Sequence, residues 1–284
     1  MKIKDKKNIL FIIIALLISS TIFLYEYKKE TKPVELYRVY LKGKTIGYIE
    51  NKELLEEYID NEQYELKEKY KVDKVYLPNE LDIVKEITYD KSVSTEEEIY
   101  EKIKDISPFT INGYTITIKG LEIKSEDSEE SIQQPDKKIY VLDKELFTKA
   151  LKNTINVFVS AEDYENFINK TQKEIENVGT IIEDIYIKNQ ITITEGKISA
   201  EEKIFTEIDE LDKYMLFGTV EKQKDYTVVA GDSIKDIAYK NKLSVNEFLI
   251  ANPEFTSENN LLYEGEFVNL GLINPQFSLI EEDH

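Results

Sequence analysis

The sequence predicts an α+β protein with an N-terminal transmembrane helix, an α+β ectodomain with signs of duplication, and a small C-terminal β-α-α-β module. Three observations lead to this fold class. An apolar run without charges stands at the N-terminus, strand and helix periodicities alternate up to residue 222, and two well-capped short helices follow between strands. The 284 residues are enough for two or three domains.

The apolar run at residues 9–25 follows four lysines within the first seven positions and is long enough, though only just, to cross a bilayer as a helix. The positive-inside rule leaves residues 1–8 as a cytoplasmic tail and places the rest outside. A cleaved signal peptide would need small residues at its end, but residues 22–24 continue the apolar run past Ser19 and Thr21. We therefore expect an uncleaved, single-pass signal anchor in the cell membrane, with cleavage as the alternative.

Charge is distributed unevenly along the chain. The first 29 residues carry a net charge of +4 within a total of −19, so the remainder carries −23. Such an acidic surface repels phosphate backbones, which excludes nucleic acid as a partner. The chain has no cysteine, which excludes disulfides and thiolate sites.

Residues 35–121 are expected to form a first α+β unit. The alternation from Leu36 to Ile49, with a turn at residues 42–44, predicts a β-hairpin. Helices are predicted at residues 53–70 and 95–106, the second starting with a capping box of Ser94 and Glu97, and a strand at residues 114–118.

Residues 122–138 are polar, acidic and aperiodic, which predicts a solvated linker. The ordered ligand spacing of a calcium loop is missing there, so the linker interpretation is favoured over calcium binding.

A second α+β unit is expected at residues 139–222. Residues 93–103 align with residues 198–208 at an offset of 105, and Gly113 and Gly218 share that offset. A duplicated unit of about a hundred residues would explain the match. The alternative is that acidic amphipathic helices simply resemble one another.

The most informative segment is residues 225–271, which precedes a polar tail at residues 272–284. A strand at residues 226–229 leads to a helix capped by Ser233, with Asp236 three residues later. Ser244 and Glu247 form the capping box of a second helix, which ends at residues 252–253. A closing strand follows at residues 267–270.

This ordered series resembles the LysM family. The matching positions are Tyr226-Thr227-Val228, Gly231-Asp232-Ser233, Ile237-Ala238, Leu243-Ser244-Val245, Phe248-Leu249, Ala251-Asn252-Pro253, Leu262-Tyr263 and Gly265. The resemblance covers about a sixth of the chain, and Lys235 and Ala230 stand where the family often has an apolar residue and a proline.

The resemblance implies binding to N-acetylglucosamine-containing polymers, here the peptidoglycan of a cell wall that the ectodomain would face. In the family, the sugar lies between the loop entering the first helix and the loop leaving the second. The positions that correspond here are Gly231, Asp232, Ser233, Ile234, Asn260, Leu261, Leu262 and Tyr263. Asp232 and Ser233 also suit a helix N-terminus without any ligand, so we expect backbone atoms to matter more than their side chains.

The layout also resembles the N-terminal, non-catalytic part of Gram-positive LysM-containing zinc endopeptidases of the lysostaphin type. A zinc site of that kind needs several histidines, whereas the chain has only His284. The sequence therefore predicts no metal site, no cofactor and no catalytic residues, and a zinc domain would have to lie beyond residue 284. A carboxylate-based hydrolase remains open, but none of the 56 acidic residues can be singled out as a catalytic pair. A third hypothesis, beside wall binding and the front part of a hydrolase, is that residues 35–222 bind a protein partner whose identity the sequence does not reveal.

Overall fold

The computed structural model describes residues 3–30, 32–124, 131–172 and 182–283. The chain divides into two compact units, Met1–Phe109 and Thr110–His284. Both combine helices with β-sheet, which confirms the predicted α+β class.

The first unit begins with helix α1 (Ile3–Glu30). Its window Phe11–Lys28 has a mean hydropathy of 1.6, and none of that window is buried. A helix of this length and composition could span a membrane or act as a signal sequence.

The remainder of the first unit is a three-stranded antiparallel sheet, in the order β2-β1-β3, with two helices. The elements are β1 (Val34–Leu41), β2 (Lys44–Ile49), α2 (Lys52–Tyr70), β3 (Leu81–Thr88) and α3 (Glu96–Ile106). The predicted hairpin is present, with Lys42 and Gly43 at φ +52° and +74° in its turn, as a tight hairpin requires. Val39, Ile49 and Leu55 are fully buried in this unit.

Helix α3 starts one residue later than its predicted capping box. Thr95 is the N-cap, and Glu98 completes the box. The N–H of Ser94 instead donates to the carbonyl of Tyr48 in β2 at 2.8 Å. Because that bond keeps Ser94 beside the sheet, the helix begins after it.

The second unit is built on a four-stranded sheet in the order β10-β7-β4-β9, with α4 and α6 packed on it. The elements up to residue 217 are β4 (Thr110–Ile118), β5 (Glu122–Lys124), β6 (Ser131–Gln133), β7 (Lys137–Val141), α4 (Lys144–Phe158), α5 (Ala161–Asn169), β8 (Ile182–Ile187), β9 (Ile191–Ser199), β10 (Ile204–Phe205) and α6 (Ile208–Phe217). Ile116, Ile139, Phe147 and Leu211 are buried at its centre.

Strand β4 belongs to this second sheet, although the sequence analysis assigned residues 35–121 to the first unit. It pairs along its whole length with β9, from Thr110 opposite Ser199 to Ile118 opposite Ile191. The pairing partner lies about eighty residues downstream, which local periodicity does not reveal.

The segment predicted as a linker, residues 122–138, contains paired strands. β5 and β6 form an antiparallel pair with Ile123 opposite Ile132, and β7 starts at Lys137. Residues 125–130, which carry most of the acidic run, lie outside the described residues.

The two segments that align at an offset of 105 differ in secondary structure. Residues 95–106 form an N-cap and a helix, whereas the aligned residues 200–208 form a turn, strand β10 and the start of α6. Ile204 and Phe205 pair in parallel with β7 and are buried, so this segment completes a sheet instead of starting a helix.

The C-terminal module has the predicted β-α-α-β order. Its elements are β11 (Asp225–Thr227), α7 (Ile234–Lys240), α8 (Val245–Ala251) and β12 (Phe267–Asn269). Ser233 caps α7, and Ser244 and Glu247 form the capping box of α8, as predicted. The module has a core of its own that includes Ile237 and Phe248.

The module is packed against α6 within the second unit. Ala251 of α8 is buried with Leu216 and Phe217 of α6. After the module, the N–H of Asn274 donates to the carbonyl of Leu216 at 2.9 Å. The predicted polar tail then forms a strand, β13 (Leu279–Asp283), which pairs antiparallel with β8.

Candidate glycan-binding site

Two loops of the C-terminal module, residues 228–233 and 260–266, are held next to each other by backbone hydrogen bonds. β11 and β12 pair with Tyr226 opposite Val268. Beyond the strands, the N–H of Val228 donates to the carbonyl of Glu266, and the N–H of Gly265 donates to the carbonyl of Val228, both at 2.9 Å. The two groups of sequence-predicted site residues therefore flank one strand pair.

The first loop is organised by the Asp232 carboxylate. It accepts hydrogen bonds from the Tyr226 hydroxyl at 2.7 Å and from the Val229 N–H at 3.1 Å. The Lys240 ammonium lies 3.1 Å from its other oxygen, and the Asp232 side chain is only 3% exposed. Asp232 thus ties the loop to β11 and α7, and its carboxylate is turned inward.

These contacts shift the pKa values of the groups that make them. The hydrogen bond from Tyr226, followed by the Val229 N–H and Lys240, lowers the pKa of the Asp232 carboxyl. The same hydrogen bond raises the pKa of the Tyr226 hydroxyl. The pair Asp232–Lys240 is therefore ionised at neutral pH and stabilises the loop in its charged form.

Gly231 is the exposed residue at the tip of this loop. Its φ is +87°, a left-handed conformation that favours glycine. No atom lies within 4 Å of the position that a Cβ would take. The backbone here is open to a ligand.

Ser233 and Ile234 are among the predicted site residues, but their side chains make contacts within the module. The Ser233 hydroxyl accepts from the Asp236 N–H at 3.1 Å and donates to the Asp236 carboxylate at 2.6 Å. The Ile234 side chain is fully buried in the module core. At these two positions, only backbone atoms remain for a ligand.

The second loop is organised by Asn260. Its side-chain oxygen accepts from the N–H groups of Thr256 at 3.0 Å and Ser257 at 2.8 Å. The side chain of Asn260 therefore closes its own turn, which gives residues 261–263 a fixed starting point.

The next three residues alternate between surface and core. Leu261 and Tyr263 are 77% and 69% exposed, whereas Leu262 packs against the module core. The Tyr263 N–H donates to the Glu266 carboxylate at 3.1 Å. The side chains of Leu261 and Tyr263 are therefore the free apolar surface of this loop.

A buried asparagine pair, which the sequence pattern does not reveal, positions the second loop. The Asn252 amide donates to the carbonyl of Asn269 at 2.8 Å, and the Asn269 N–H donates back to the Asn252 side chain at 2.6 Å. These two bonds join the end of α8 to β12, the two elements between which the loop runs. The sequence marks Asn252 as a helix stop and as a position shared with the LysM family, but its spacing to Asn269 carries no local pattern.

The module carries eight carboxylates against three lysines over residues 225–271. Among the residues that the structure describes, no group of three or more His, Cys, Asp or Glu could hold a metal ion. Its surface is therefore better suited to a neutral polymer than to an anionic one.

The model of the LysM domain family matches residues 226–270. The matched segment coincides with the β-α-α-β module and contains both loops. No curated protein and no solved structure matches the chain. A LysM domain implies binding to peptidoglycan-type glycan.

Proposed function

We propose that this chain is a membrane-anchored cell-wall protein whose LysM domain, residues 226–270, binds the N-acetylglucosamine-containing glycan of peptidoglycan. The observation that carries the proposal is the family match to a module whose β-α-α-β order, capped helices and two adjacent loops are all present. The chain would act by binding alone, because its sequence offers no internal histidine or cysteine for a zinc or nucleophilic site.

Within the site, the glycan would lie between the tip of the first loop and the exposed side chains of the second. Gly231 leaves the first loop open, and Leu261 and Tyr263 provide apolar surface opposite it. A sugar ring with an acetamido group needs a small apolar contact and a few hydrogen-bonding groups, which backbone amides and a tyrosine supply. Asp232, Ser233, Ile234, Asn260 and Leu262 would support these surfaces from within.

The glycan-binding proposal is tested by removing the exposed side chains of the second loop. We expect Leu261→Asp and Tyr263→Ala each to weaken binding of the full-length, detergent-solubilised protein to purified wall sacculi by about tenfold, because exposed apolar contacts are lost. Both residues are exposed, so the unfolding temperature should not change. Pull-down with sacculi and titration with N-acetylglucosamine oligomers measure the effect.

Tyr239→Ala is the matched control. Tyr239 is 85% exposed near the end of α7 and belongs to neither loop, so its removal should leave binding unchanged. If the two loop variants bound sacculi as tightly as the parent protein, the placement of the groove would be wrong. If the parent protein did not bind sacculi, the proposed function would be wrong.

We also propose that α1 anchors the chain in the cell membrane, with the LysM domain on the extracytoplasmic side. The support is an exposed apolar window at Phe11–Lys28 that follows a cluster of lysines. Full-length protein should stay in the membrane fraction through high salt and carbonate washes, and protease should reach the ectodomain only from outside. Released protein with a mature N-terminus near Ile22 would show a cleaved signal sequence instead.

Anchoring would compensate for weak binding by one small module. A domain tethered to the membrane experiences the adjacent wall at a high local concentration, so even a shallow groove would stay occupied.

A further inference from the structure

A cavity of about 270 Å³ lies in the second unit, beside β7, β10 and α6. We call it the Tyr140 pocket. The side chains that define it here are Lys138, Tyr140, Glu202, Phe205, Tyr214 and Val220. Its volume lies just below the range of about 300 to 1,000 Å³ that is typical of ligand sites, so a ligand would be small or only partly enclosed. It is separate from the loops of the LysM domain.

The base of the Tyr140 pocket is aromatic. Phe205 is 3% exposed, and its ring centroid lies 5.2 Å from that of Tyr214 in a tilted arrangement. The Lys203 ammonium lies 5.4 Å from the Phe205 ring centroid and forms an ion pair with Glu210 at 2.6 Å. The base therefore offers apolar surface, and this lysine is already neutralised.

The rim of the pocket carries one positive and one negative side chain, and the positive one, Lys138, also lowers the pKa of the nearby Asp136 carboxyl. Lys138 and Glu202 are exposed, and neither has an ion-pair partner within the described part of the chain. Burial, together with the nearby Glu202 carboxylate, raises the pKa of the Tyr140 hydroxyl. The hydroxyls of Tyr140 and Tyr214 also have no hydrogen-bond partner among the described residues.

We propose that the Tyr140 pocket binds a zwitterionic peptide one to three residues long. The ligand carboxylate would pair with Lys138, its ammonium with Glu202, and its methyl groups would contact the aromatic base. Two opposite charges beside an apolar floor match both ends and the side chains of such a ligand. A neutral sugar would leave both charges unused, and Glu202 would repel a phosphate-bearing ligand.

Two sources could supply this chemistry. One is the stem peptide of peptidoglycan, which carries carboxylates and the amine of a diamino acid. The other is a free dipeptide. The proposal stands independently of the glycan groove, because it rests on other residues in another part of the second unit.

The test is calorimetric titration of full-length, detergent-solubilised protein with dialanine and with the stem tripeptide L-Ala-γ-D-Glu-L-Lys. We expect binding by the parent protein, weakened at least about fivefold by Lys138→Gln and by Glu202→Gln, since each removes one charge pair. Lys144→Gln and Glu145→Gln, two exposed residues at the start of α4, are matched controls and should bind like the parent. Tighter binding of the tripeptide identifies the wall as the source, and equal binding identifies free dipeptides.

The proposal is overturned if the parent protein binds neither peptide at millimolar concentration, or if the Lys138 and Glu202 variants bind as the parent does. It is also overturned if N-acetylglucosamine oligomers lose affinity in those variants, because the pocket would then hold a sugar. Leu261→Asp separates this result from the glycan proposal, since it should reduce binding to the glycan oligomers and leave peptide binding unchanged.

Discussion

Asp212 is an ionisable side chain buried between α4 and α6. It is 8% exposed, and one carboxylate oxygen accepts a hydrogen bond from the Asn153 amide at 2.8 Å while the other has no hydrogen-bond partner. Burial raises the pKa of this carboxyl to about 6, although the hydrogen bond from Asn153 and the nearby Lys149 act in the opposite direction and Asp209 adds to the rise. Ionised Asp212 therefore destabilises the fold.

The stability of the second unit should fall as pH rises through the pKa of Asp212. The folded-state pKa lies above the usual carboxyl value of about 3.9, so the folded state holds the proton more tightly. The contribution of this group is most favourable below about pH 4 and is lost as pH rises through about 6. We expect Asp212→Asn to raise the free energy of unfolding at pH 8 by roughly 2 kcal/mol and to remove this dependence.

Urea unfolding of the full-length protein at pH 4.5 and pH 8 measures the effect, with Asp184→Asn on the exposed face of β8 as the control. An unchanged pH dependence in Asp212→Asn would contradict the assignment.

The contact between α6 and the LysM domain is a feature that periodicity did not predict. Phe217 ends α6 and is buried beside Ala251 of α8. Gly271 follows the last strand of the module, and a Cβ at this position would lie 2.4 Å from the Phe217 ring. The close approach of these segments requires glycine.

Gly271→Ala should destabilise the second unit by about 1 to 3 kcal/mol, because the added methyl overlaps a buried ring. Gly196→Ala is the matched control: it lies in β9 with nothing within 4 Å of its Cβ position. Thermal unfolding of both variants measures the difference, and the folded fraction should still bind sacculi because the two loops are not involved. Equal unfolding temperatures for the two variants would show that the Phe217 ring moves aside for the added methyl group without loss of stability.

For the whole molecule, charge should determine which form of the wall is bound best. Residues 30–284 carry a net charge of −23, and the LysM domain is itself acidic. Anionic polymers attached to peptidoglycan would repel this surface over a distance of about 10 Å at 0.1 M salt.

We expect sacculi stripped of anionic polymers to bind the protein more tightly than intact sacculi at low salt, and the difference to disappear near 1 M salt, where screening shortens the range to about 3 Å. Pull-down at both salt concentrations tests this. Tighter binding to intact sacculi at low salt would indicate a cationic contact surface and contradict the argument.

The features that were predicted correctly from the sequence depend on residues close to one another in the chain. Helix caps at Ser233 and Ser244, the hairpin turn at Gly43 and the order of the LysM domain were all predicted correctly, because each depends on contacts within a few positions. The candidate site residues follow from the resemblance to the LysM family, which does not say which of their side chains point inward, as Ile234 and Asp232 do.

Tertiary packing fixed the features that depend on partners distant in the chain. It placed β4 beside β9 and buried Ile234 in the module core. It made residues 200–208 a turn, a short strand and the start of α6. It also brought Asp232 to Tyr226 and Lys240, Asn252 to Asn269, and Lys138 to Glu202 around one pocket. Long-range pairing leaves no periodic signal, because its partners are chosen by the packing of the whole unit rather than by their sequence neighbours.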